Sequence, residues 1–149
     1  IQRTLVLIKP DAVQRGLIGE ILGRFERKGL IPVAAQFVVA SAAQGQAHYA
    51  EHATKPFFPG LLTFITGGPL LSLALEGDEA VAVVRNLVGP TDGRKAPPGT
   101  IRGDFGISRS SNLVHGSDSP EAAERELKIW FPNGVISWSR CDKPWLDSE

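Results

Sequence analysis

Leu5-Val6-Leu7-Ile8-Lys9-Pro10-Asp11 begins with four consecutive apolar residues and ends with a proline and an aspartate. A short apolar run of this kind is typical of a strand that is buried on both faces in the middle of a sheet. Pro10 ends strand pairing because it has no backbone N–H, and it does so where Lys9 emerges. We therefore expect residues 5–8 to form a central strand with a lysine at its end.

Helical and strand-like patterns alternate along the rest of the chain. Apolar side chains recur at helical spacing over residues 17–28, which predicts an amphipathic helix that ends at Gly29. The other predicted elements are a strand at 31–39, short helices at 43–52 and 60–65, a strand at 70–75, a helix at 79–87, a strand at 113–115, a helix that begins after Ser119, and an extended segment at 135–138. This order predicts an α+β fold, a ferredoxin-like βαββαβ sandwich with a four-stranded antiparallel sheet and helices packed on one face.

The segment from Val88 to about Ser111 shows neither helical nor strand periodicity. It is rich in glycine and proline and contains few apolar residues. A structureless loop of this length is uncommon inside a compact domain, and when it is ordered it is usually functional. We therefore expect a long loop that contributes to a functional site.

Size and charge limit the class of protein. The 149 residues fit one domain, and 42% hydrophobic with 21% charged residues are ordinary values for a folded chain. Lys and Arg together number 16, as do Asp and Glu, so no net charge attracts a nucleic-acid backbone and any anion site must be local. We expect a single domain over residues 1–149 with no specific nucleic-acid partner.

The single cysteine, Cys141, can form neither an internal disulfide nor a thiolate metal cluster, which favours a reducing compartment. The apolar run Leu70 to Leu75 is far shorter than the ~20 residues of a membrane helix. The first residues, Ile1 to Thr4, do not resemble a signal peptide. We expect a cytoplasmic protein with no membrane partner.

The chain contains neither a Walker A sequence nor a Gly-x-Gly-x-x-Gly motif, so phosphate binding would need another device. Cations cluster in or near the long loop instead: Lys9, Arg85, Arg94, Lys95, Arg102 and Arg109. Each of them, taken alone, is explained by a solvated surface charge. Arg102 differs because it lies among small residues at 99–103, where the backbone can approach a ligand and the guanidinium can bind phosphate through two bonds.

His115, at the end of a predicted strand, is the strongest candidate for a reactive side chain. On the following helix, Glu126 falls inside the apolar stripe, and a buried carboxylate needs a partner. A hydrogen bond between Glu126 and His115 would supply one, fix the tautomer and leave the other ring nitrogen free to attack. The alternatives are that Glu126 turns to the rim of the stripe and that His115 has only a structural role.

Other candidates have competing explanations. Phe57 is either part of the core or, held between two prolines, an exposed surface on which a base can stack. His48 and His52 have a spacing that could bind a metal, but no cysteine and only one acidic residue lie near them, so we expect both to be exposed. The segment 102–106 partly matches an RNA-recognition signature but lacks its aromatic spacing.

The segment Asn112-Leu113-Val114-His115-Gly116-Ser117-Asp118-Ser119 closely resembles the active-site signature of nucleoside diphosphate kinases, Asn-x-x-His-(Gly or Ala)-Ser-Asp. Further matches stand in the order typical of that family: Lys9-Pro10-Asp11, Gln14 to Leu17, Arg24-Phe25-Glu26, Lys55-Pro56-Phe57-Phe58, Gly99 to Phe105 and Trp130-Phe131. The matches extend from Thr4 to about Trp130. The chain differs from the family pattern at Ala12, Gly93, residues 109–111 and the tail 145–149.

The resemblance implies an enzyme that transfers the γ-phosphoryl group of a nucleoside triphosphate to a nucleoside diphosphate, by a ping-pong route through phosphohistidine at His115. Glu126 matches the acid that orients the histidine ring, and Ser117 matches a residue that supports the site. The implied substrate site comprises Lys9, Tyr49, Arg85, Thr91 and Arg102 around the phosphates, Lys9 and Asn112 at the sugar, and Phe57 with Leu61 at the base.

The resemblance also implies a metal ion and a self-associated state. Mg²⁺ would arrive with the nucleotide and bind phosphate oxygens and water, with Asp118 reaching its shell only through water and no direct protein ligand. The family forms homo-oligomers, and we expect a hexamer rather than a tetramer. The alternative to an enzyme is a non-catalytic nucleotide- or RNA-binding module with a ferredoxin-like fold.

Overall fold

The computed structural model describes residues 1–146, and its elements follow the order expected from the sequence. The strands are β1 (Gln2–Ile8), β2 (Ile31–Val38), β3 (Leu70–Gly77) and β4 (Val114–Gly116). The helices are α1 (Pro10–Gln14), α2 (Ile18–Lys28), α3 (Ala42–His48), α4 (Phe58–Thr66), α5 (Ala80–Val88), α6 (Ile101–Phe105) and α7 (Pro120–Trp130), with short 3-10 turns at Ala50–His52 and Lys143–Trp145. Residues 147–149, the end of the tail that differs from the family pattern, lie outside the described residues.

β1 lies in the interior of the sheet, whose strand order is β2-β3-β1-β4 with antiparallel neighbours throughout. Gln2 to Ile8 pair with Gly77 to Leu71 of β3 on one side. On the other side, the short strand β4 places His115 directly opposite Leu7. The four-stranded antiparallel sheet, with helices packed on it, confirms the predicted ferredoxin-like α+β class.

Helices cover both faces of the sheet, which corrects the expected one-sided arrangement. Val6 and Ile8 face a core that includes apolar residues of α2 and α5. Leu5 and Leu7 face a second core, which includes residues of α4 and α7 and is centred on Trp130. Because β1 is buried on both faces, its sequence shows no alternation of polar and apolar residues.

Helices α2 and α7 have the ends expected from the sequence. α2 ends at Gly29, whose φ of 106° is the left-handed conformation that glycine adopts readily. α7 begins after Ser119, whose side-chain oxygen accepts a hydrogen bond from the backbone N–H of Ala122 at 3.0 Å. Among residues 1–146, no helix has the length and apolar content needed to cross a membrane.

The long segment at 88–111 is not structureless as predicted, because it contains α6. Thr100 caps this helix by accepting a hydrogen bond from the backbone N–H of Gly103 at 2.9 Å. A five-residue helix that contains a glycine is too short to show a helical period in sequence. The segment at 135–138, expected to be extended, forms no strand of the sheet, and Ile136 donates one backbone hydrogen bond to Val33 at 2.8 Å.

Candidate active site

His115 and Glu126 form the hydrogen bond that the helical pattern predicted. The Nε2 of His115, on β4, lies 2.8 Å from the Oε1 of Glu126, on α7. The Glu126 side chain is only 6% exposed and the His115 side chain is 21% exposed. The carboxylate therefore points to the sheet, not to the rim of the apolar stripe, and it occupies one of the two ring nitrogens.

The Glu126 carboxylate is held in its charged form by its hydrogen bonds. Burial alone would raise the pKa of Glu126, but the bonds from His115 and from the Ser117 hydroxyl outweigh burial and lower it to about 2. Ser117 is itself fully buried and accepts a bond from the backbone N–H of Leu5 at 3.2 Å. A charged Glu126 can only accept, so the proton of the neutral His115 ring resides on Nε2.

His115 is neutral and its second nitrogen is free. Burial lowers the pKa of His115, and the positive charges of Lys9 and Arg102 lower it further, while Glu126 acts in the opposite direction. Within residues 1–146, no group makes a hydrogen bond to the Nδ1 of His115. The ring therefore offers an unprotonated, unshared lone pair at this atom.

Arg102 is a buried cation that ties the long loop to β4. Its guanidinium donates to three backbone carbonyls: that of Gly89 at 3.0 Å, that of Asn112 at 3.1 Å and that of Val114 at 2.6 Å. Burial, and then the neighbouring charge of Arg85, lower the pKa of Arg102 to about 10, so it remains charged at neutral pH. A buried positive charge beside a neutral histidine favours an anionic ligand.

The side chains of Lys9 and Asn112 are linked by a hydrogen bond. The Lys9 ammonium donates to the side-chain oxygen of Asn112 at 2.9 Å, and the Asn112 amide donates to the carbonyl of Arg109 at 3.1 Å. Burial, and then the charge of Arg102, lower the pKa of Lys9 to about 8. Lys9 is thus a second, largely protonated cation at the end of the central strand.

Backbone strain occurs two residues before His115. Leu113 is fully buried and has a φ of 74°, a left-handed conformation that is uncommon for a bulky side chain. Its backbone N–H donates to the carboxylate of Asp11 at 3.0 Å, which helps to stabilise the turn. The strained turn and the Lys9–Asn112 bond together fix the path of the chain into β4.

A cleft of about 300 Å³ opens beside His115. It is lined by nine of the residues that the sequence singled out, namely His48, Tyr49, His52, Arg85, Thr91, Arg102, His115, Asp118 and Glu126. Burial, and then the charge of Glu126, raise the pKa of Tyr49 to about 12, so its hydroxyl stays protonated and can donate. The cleft therefore combines a nucleophile with charged and neutral donors.

Phe57 and Leu61 do not line this cleft, although the resemblance places them at the substrate. Phe57 is 52% exposed at the start of α4, with its ring centre 5.5 Å from that of His52 and 5.7 Å from the Lys55 ammonium. Leu61 lies one turn further along α4 and donates its backbone N–H to the Phe57 carbonyl. Phe57 thus offers an exposed aromatic face outside the cleft and is not part of the core.

The expectation that His48 and His52 are exposed is wrong, because His48 is buried and His52 is half-buried. His48 ends α3, is 5% exposed, and accepts a hydrogen bond at Nδ1 from the indole N–H of Trp130 at 3.2 Å. Its ring meets that of His115 edge to face, with centres 4.6 Å apart. Trp130 lies four residues after Glu126 on the same helical stripe, and a buried indole N–H needs a hydrogen-bond acceptor. The position of Trp130 is therefore the one sequence signal for its contact with His48.

The structure offers two arrangements to a cation. His48, His115 and Glu126 each have a potential ligand atom, and these atoms lie within 4.8 Å of one another. Two of their nitrogens already make hydrogen bonds, the Nδ1 of His48 with Trp130 and the Nε2 of His115 with Glu126. Asp118, at the cleft wall, carries the oxygen ligand that a hydrated hard cation prefers.

The site combines a neutral imidazole that has one free nitrogen with cations that line the same cleft. This combination is expected of an enzyme that carries a phosphoryl group on histidine. Sequence comparison identifies the family. The family model described as "Nucleoside diphosphate kinase" matches residues 2–136. The chain belongs to the nucleoside diphosphate kinase family.

Relatives and solved structures agree with this assignment. A nucleoside diphosphate kinase of Nocardioides sp. is 64% identical over 130 residues, which are 87% of this chain and 96% of that protein. One from Archaeoglobus fulgidus is 48% identical over 149 residues, 99% of each. The structure of a halophilic nucleoside diphosphate kinase from Halobacterium salinarum in complex with CDP matches with a TM-score of 0.95 and 46% identity over 99% of both chains.

Proposed function

We propose that the protein transfers the γ-phosphoryl group of a nucleoside triphosphate to a nucleoside diphosphate, with His115 as the phosphoryl carrier. This proposal rests on the different surroundings of the two nitrogens of the His115 ring. Nε2 bonds the Glu126 carboxylate, while Nδ1 is free beside the cleft that holds Arg102. Family membership supports the reaction, and the ring geometry supports the choice of the reacting atom.

The chain provides separate surfaces for the parts of a nucleotide. The cations Arg85 and Arg102, with the Thr91 side chain, are proposed to contact the phosphates inside the cleft. The linked pair of Lys9 and Asn112 is proposed to bind the sugar hydroxyls. The exposed face of Phe57, with Leu61 one helical turn away, is proposed to stack on the base, and stacking tolerates every base because each has a π-face.

The chemistry follows from the ring. The lone pair of the His115 Nδ1 attacks the γ-phosphorus, the bond from that phosphorus to the bridging oxygen breaks, and the diphosphate leaves with the electron pair. The ring becomes positively charged, and the Glu126 carboxylate, already aligned with Nε2, stabilises that charge. The Tyr49 hydroxyl is proposed to donate to the transferring oxygens. A second diphosphate then takes the phosphoryl group by the reverse route.

Mg²⁺ is proposed to accompany the nucleotide. It would reduce the charge of the phosphates, and the Asp118 carboxylate, which lines the cleft, would hold it through a bridging water. The protein itself contributes Arg102 and Lys9, whose buried charges are fixed in place before the nucleotide arrives. Such preorganised charges stabilise the transition state without reorganisation during the reaction.

Domain organisation, subunit number and cellular location complete the proposal. We propose one domain over residues 1–149, a homo-oligomer that is a hexamer rather than a tetramer, and a cytoplasmic location. The free, exposed Cys141 supports a reducing compartment. Light scattering of the purified protein measures the subunit number directly.

Labelling with γ-labelled ATP tests the function. We expect an acid-labile, alkali-stable phosphoenzyme that loses its label when a nucleoside diphosphate is added. His115→Asn should accumulate no label while still binding ATP. Equal labelling of this variant would refute the assignment of His115, and nucleotide binding without any exchange in the wild type would instead identify a non-catalytic module.

A further inference from the structure

Trp130 determines where the proton of the His48 ring resides. An indole N–H can only donate a hydrogen bond, and the Nδ1 of His48 is its acceptor, 3.2 Å away. An accepting Nδ1 carries no proton, so the neutral ring must carry its proton on Nε2. Trp130 is 1% exposed and therefore makes this contact away from solvent.

The surroundings of His48 keep the ring neutral. Burial lowers its pKa to about 3, and the nearby charges of Lys9 and Arg125 act in the same direction, as does His115, against the opposing effect of Glu126. At neutral pH the ring is therefore uncharged and has one N–H, at Nε2. This N–H is fixed in the folded protein before any nucleotide binds.

His48 Nε2 faces the cleft without a protein partner. The His48 ring lines the same cleft as His115 and meets the His115 ring at an angle of 81°. Within the described part of the chain, Nε2 makes no hydrogen bond. Solvent reaches this atom, because it is absent from the set of unpaired side-chain atoms that are fully buried. A donor that is neither paired nor sealed is available to a ligand.

We propose that His48 is a further catalytic residue, whose Nε2–H, oriented by Trp130, donates a hydrogen bond to an oxygen of the phosphoryl group as it moves to and from the Nδ1 of His115. The proposal rests on the function assigned to His115. Trp130 acts as a positioning residue because it selects the tautomer of His48. A fixed neutral donor beside the reacting atom stabilises the charge that the transferring oxygens carry.

Two substitutions separate the loss of the Nε2–H donor of His48 from the loss of its hydrogen bond with Trp130. His48→Asn keeps an acceptor for Trp130 near the position of Nδ1 but cannot reach the cleft. His48→Gln places an amide N–H near the position of Nε2 but loses the bond to Trp130. In single-turnover experiments with saturating ATP, we expect His48→Asn to form phosphoenzyme about tenfold more slowly or worse, with nucleotide affinity within about twofold of the wild type. His48→Gln should recover part of that rate despite its poorer packing.

Long-range ¹H–¹⁵N spectra of the histidine rings provide a readout that does not depend on activity. We expect His48 to show the Nε2–H tautomer in the wild type and a mixture of tautomers in Trp130→Phe. A wild-type His48 with its proton on Nδ1 would overturn the proposal, as would a wild-type rate in His48→Asn. Equal loss of rate in the Asn and Gln variants, with equal loss of thermal stability, would assign His48 a structural role only. Wild-type protein that forms no phosphoenzyme at His115 would reject the proposed function itself, which is a separate outcome.

Discussion

Ser117 donates to the same carboxylate oxygen of Glu126 that faces the His115 ring. The Oγ of Ser117 lies 2.6 Å from Oε1, and the Nε2 of His115 lies 2.8 Å from that atom. Two donors on one oxygen restrict the carboxylate to a single orientation and keep it charged. The orientation of the reactive imidazole is therefore set by a chain of three side chains whose far end bonds the backbone of Leu5.

Glu126→Gln should slow phosphoenzyme formation by about tenfold or more, because the developing imidazolium loses its countercharge. The Glu126 charge favours the protonated form of His115, so its removal lowers the pKa of His115 further. We therefore expect the acid limb of the pH–rate profile to move to lower pH while the rate at its plateau falls. Stopped-flow measurements across that pH range check both effects. An acid limb that moves to higher pH would contradict the role of Glu126.

Ser117→Ala should lower the free energy of unfolding by about 1–3 kcal/mol, because the buried N–H of Leu5 loses its acceptor. The same change removes one donor from Glu126, which raises the pKa of that carboxyl above about 2. Urea denaturation gives the stability, and His115 labelling gives the rate. Ser111→Ala, in an exposed part of the long loop, serves as the control and should leave stability within about 0.5 kcal/mol.

Stability should fall as the pH drops below about 6.5. The pKa of His48 is about 3 in the folded protein, below the ordinary 6.5, so the unfolded chain takes up a proton first. Glu126, with a pKa of about 2 against 4.5, adds the same effect below pH 4.5. One such group changes stability by at most about 1.4 kcal/mol per pH unit. Denaturant midpoints should therefore decrease through this range, and less steeply in His48→Asn between pH 6.5 and 4.5. Flat midpoints in the wild type would disprove the coupling.

Arg102→Lys should weaken both the fold and nucleotide binding. A lysine ammonium cannot reproduce three bonds to the separate carbonyls of Gly89, Asn112 and Val114. We expect a loss of about 2–4 kcal/mol in the free energy of unfolding. Arg94→Lys is the matched control, because Arg94 lies in the same loop but is 61% exposed and, within residues 1–146, its side chain bonds only to Asp92. Calorimetric unfolding of the two variants should differ clearly, and equal effects would contradict the anchoring role of Arg102.

Gly103→Ala should disrupt the loop that carries Arg102. A Cβ at this position would clash with the backbone carbonyl oxygen of Pro97. Gly19→Ala, in α2, is the control, because a Cβ there meets nothing within 4 Å and alanine favours helix by about 0.5–1 kcal/mol. Thermal unfolding should show a large decrease for the first variant and a small increase for the second.

The sequence predicts the parts of the site that have a local signal. The unbroken apolar run at 5–8 identified the central strand, and the position of Glu126 in an apolar stripe identified its contact with His115. No signal near His48 itself indicates its role, since α3 is a seven-residue helix and its partner Trp130, which carries the one available signal, lies 82 residues away. The short helix α6 was hidden for a similar reason, because its five residues make no complete pattern.

The bonds that hold the site join opposite ends of the chain. Lys9 bonds Asn112, Asp11 bonds Leu113 and Leu5 bonds Ser117, each across more than 100 residues. During synthesis on the ribosome, the first strand can pair with β3 early, but it lacks these three bonds until residues 112–117 have emerged. A nascent chain that ends before Glu126 would carry His115 with no carboxylate to hold its ring, so the capacity to accept a phosphoryl group arises only late in translation.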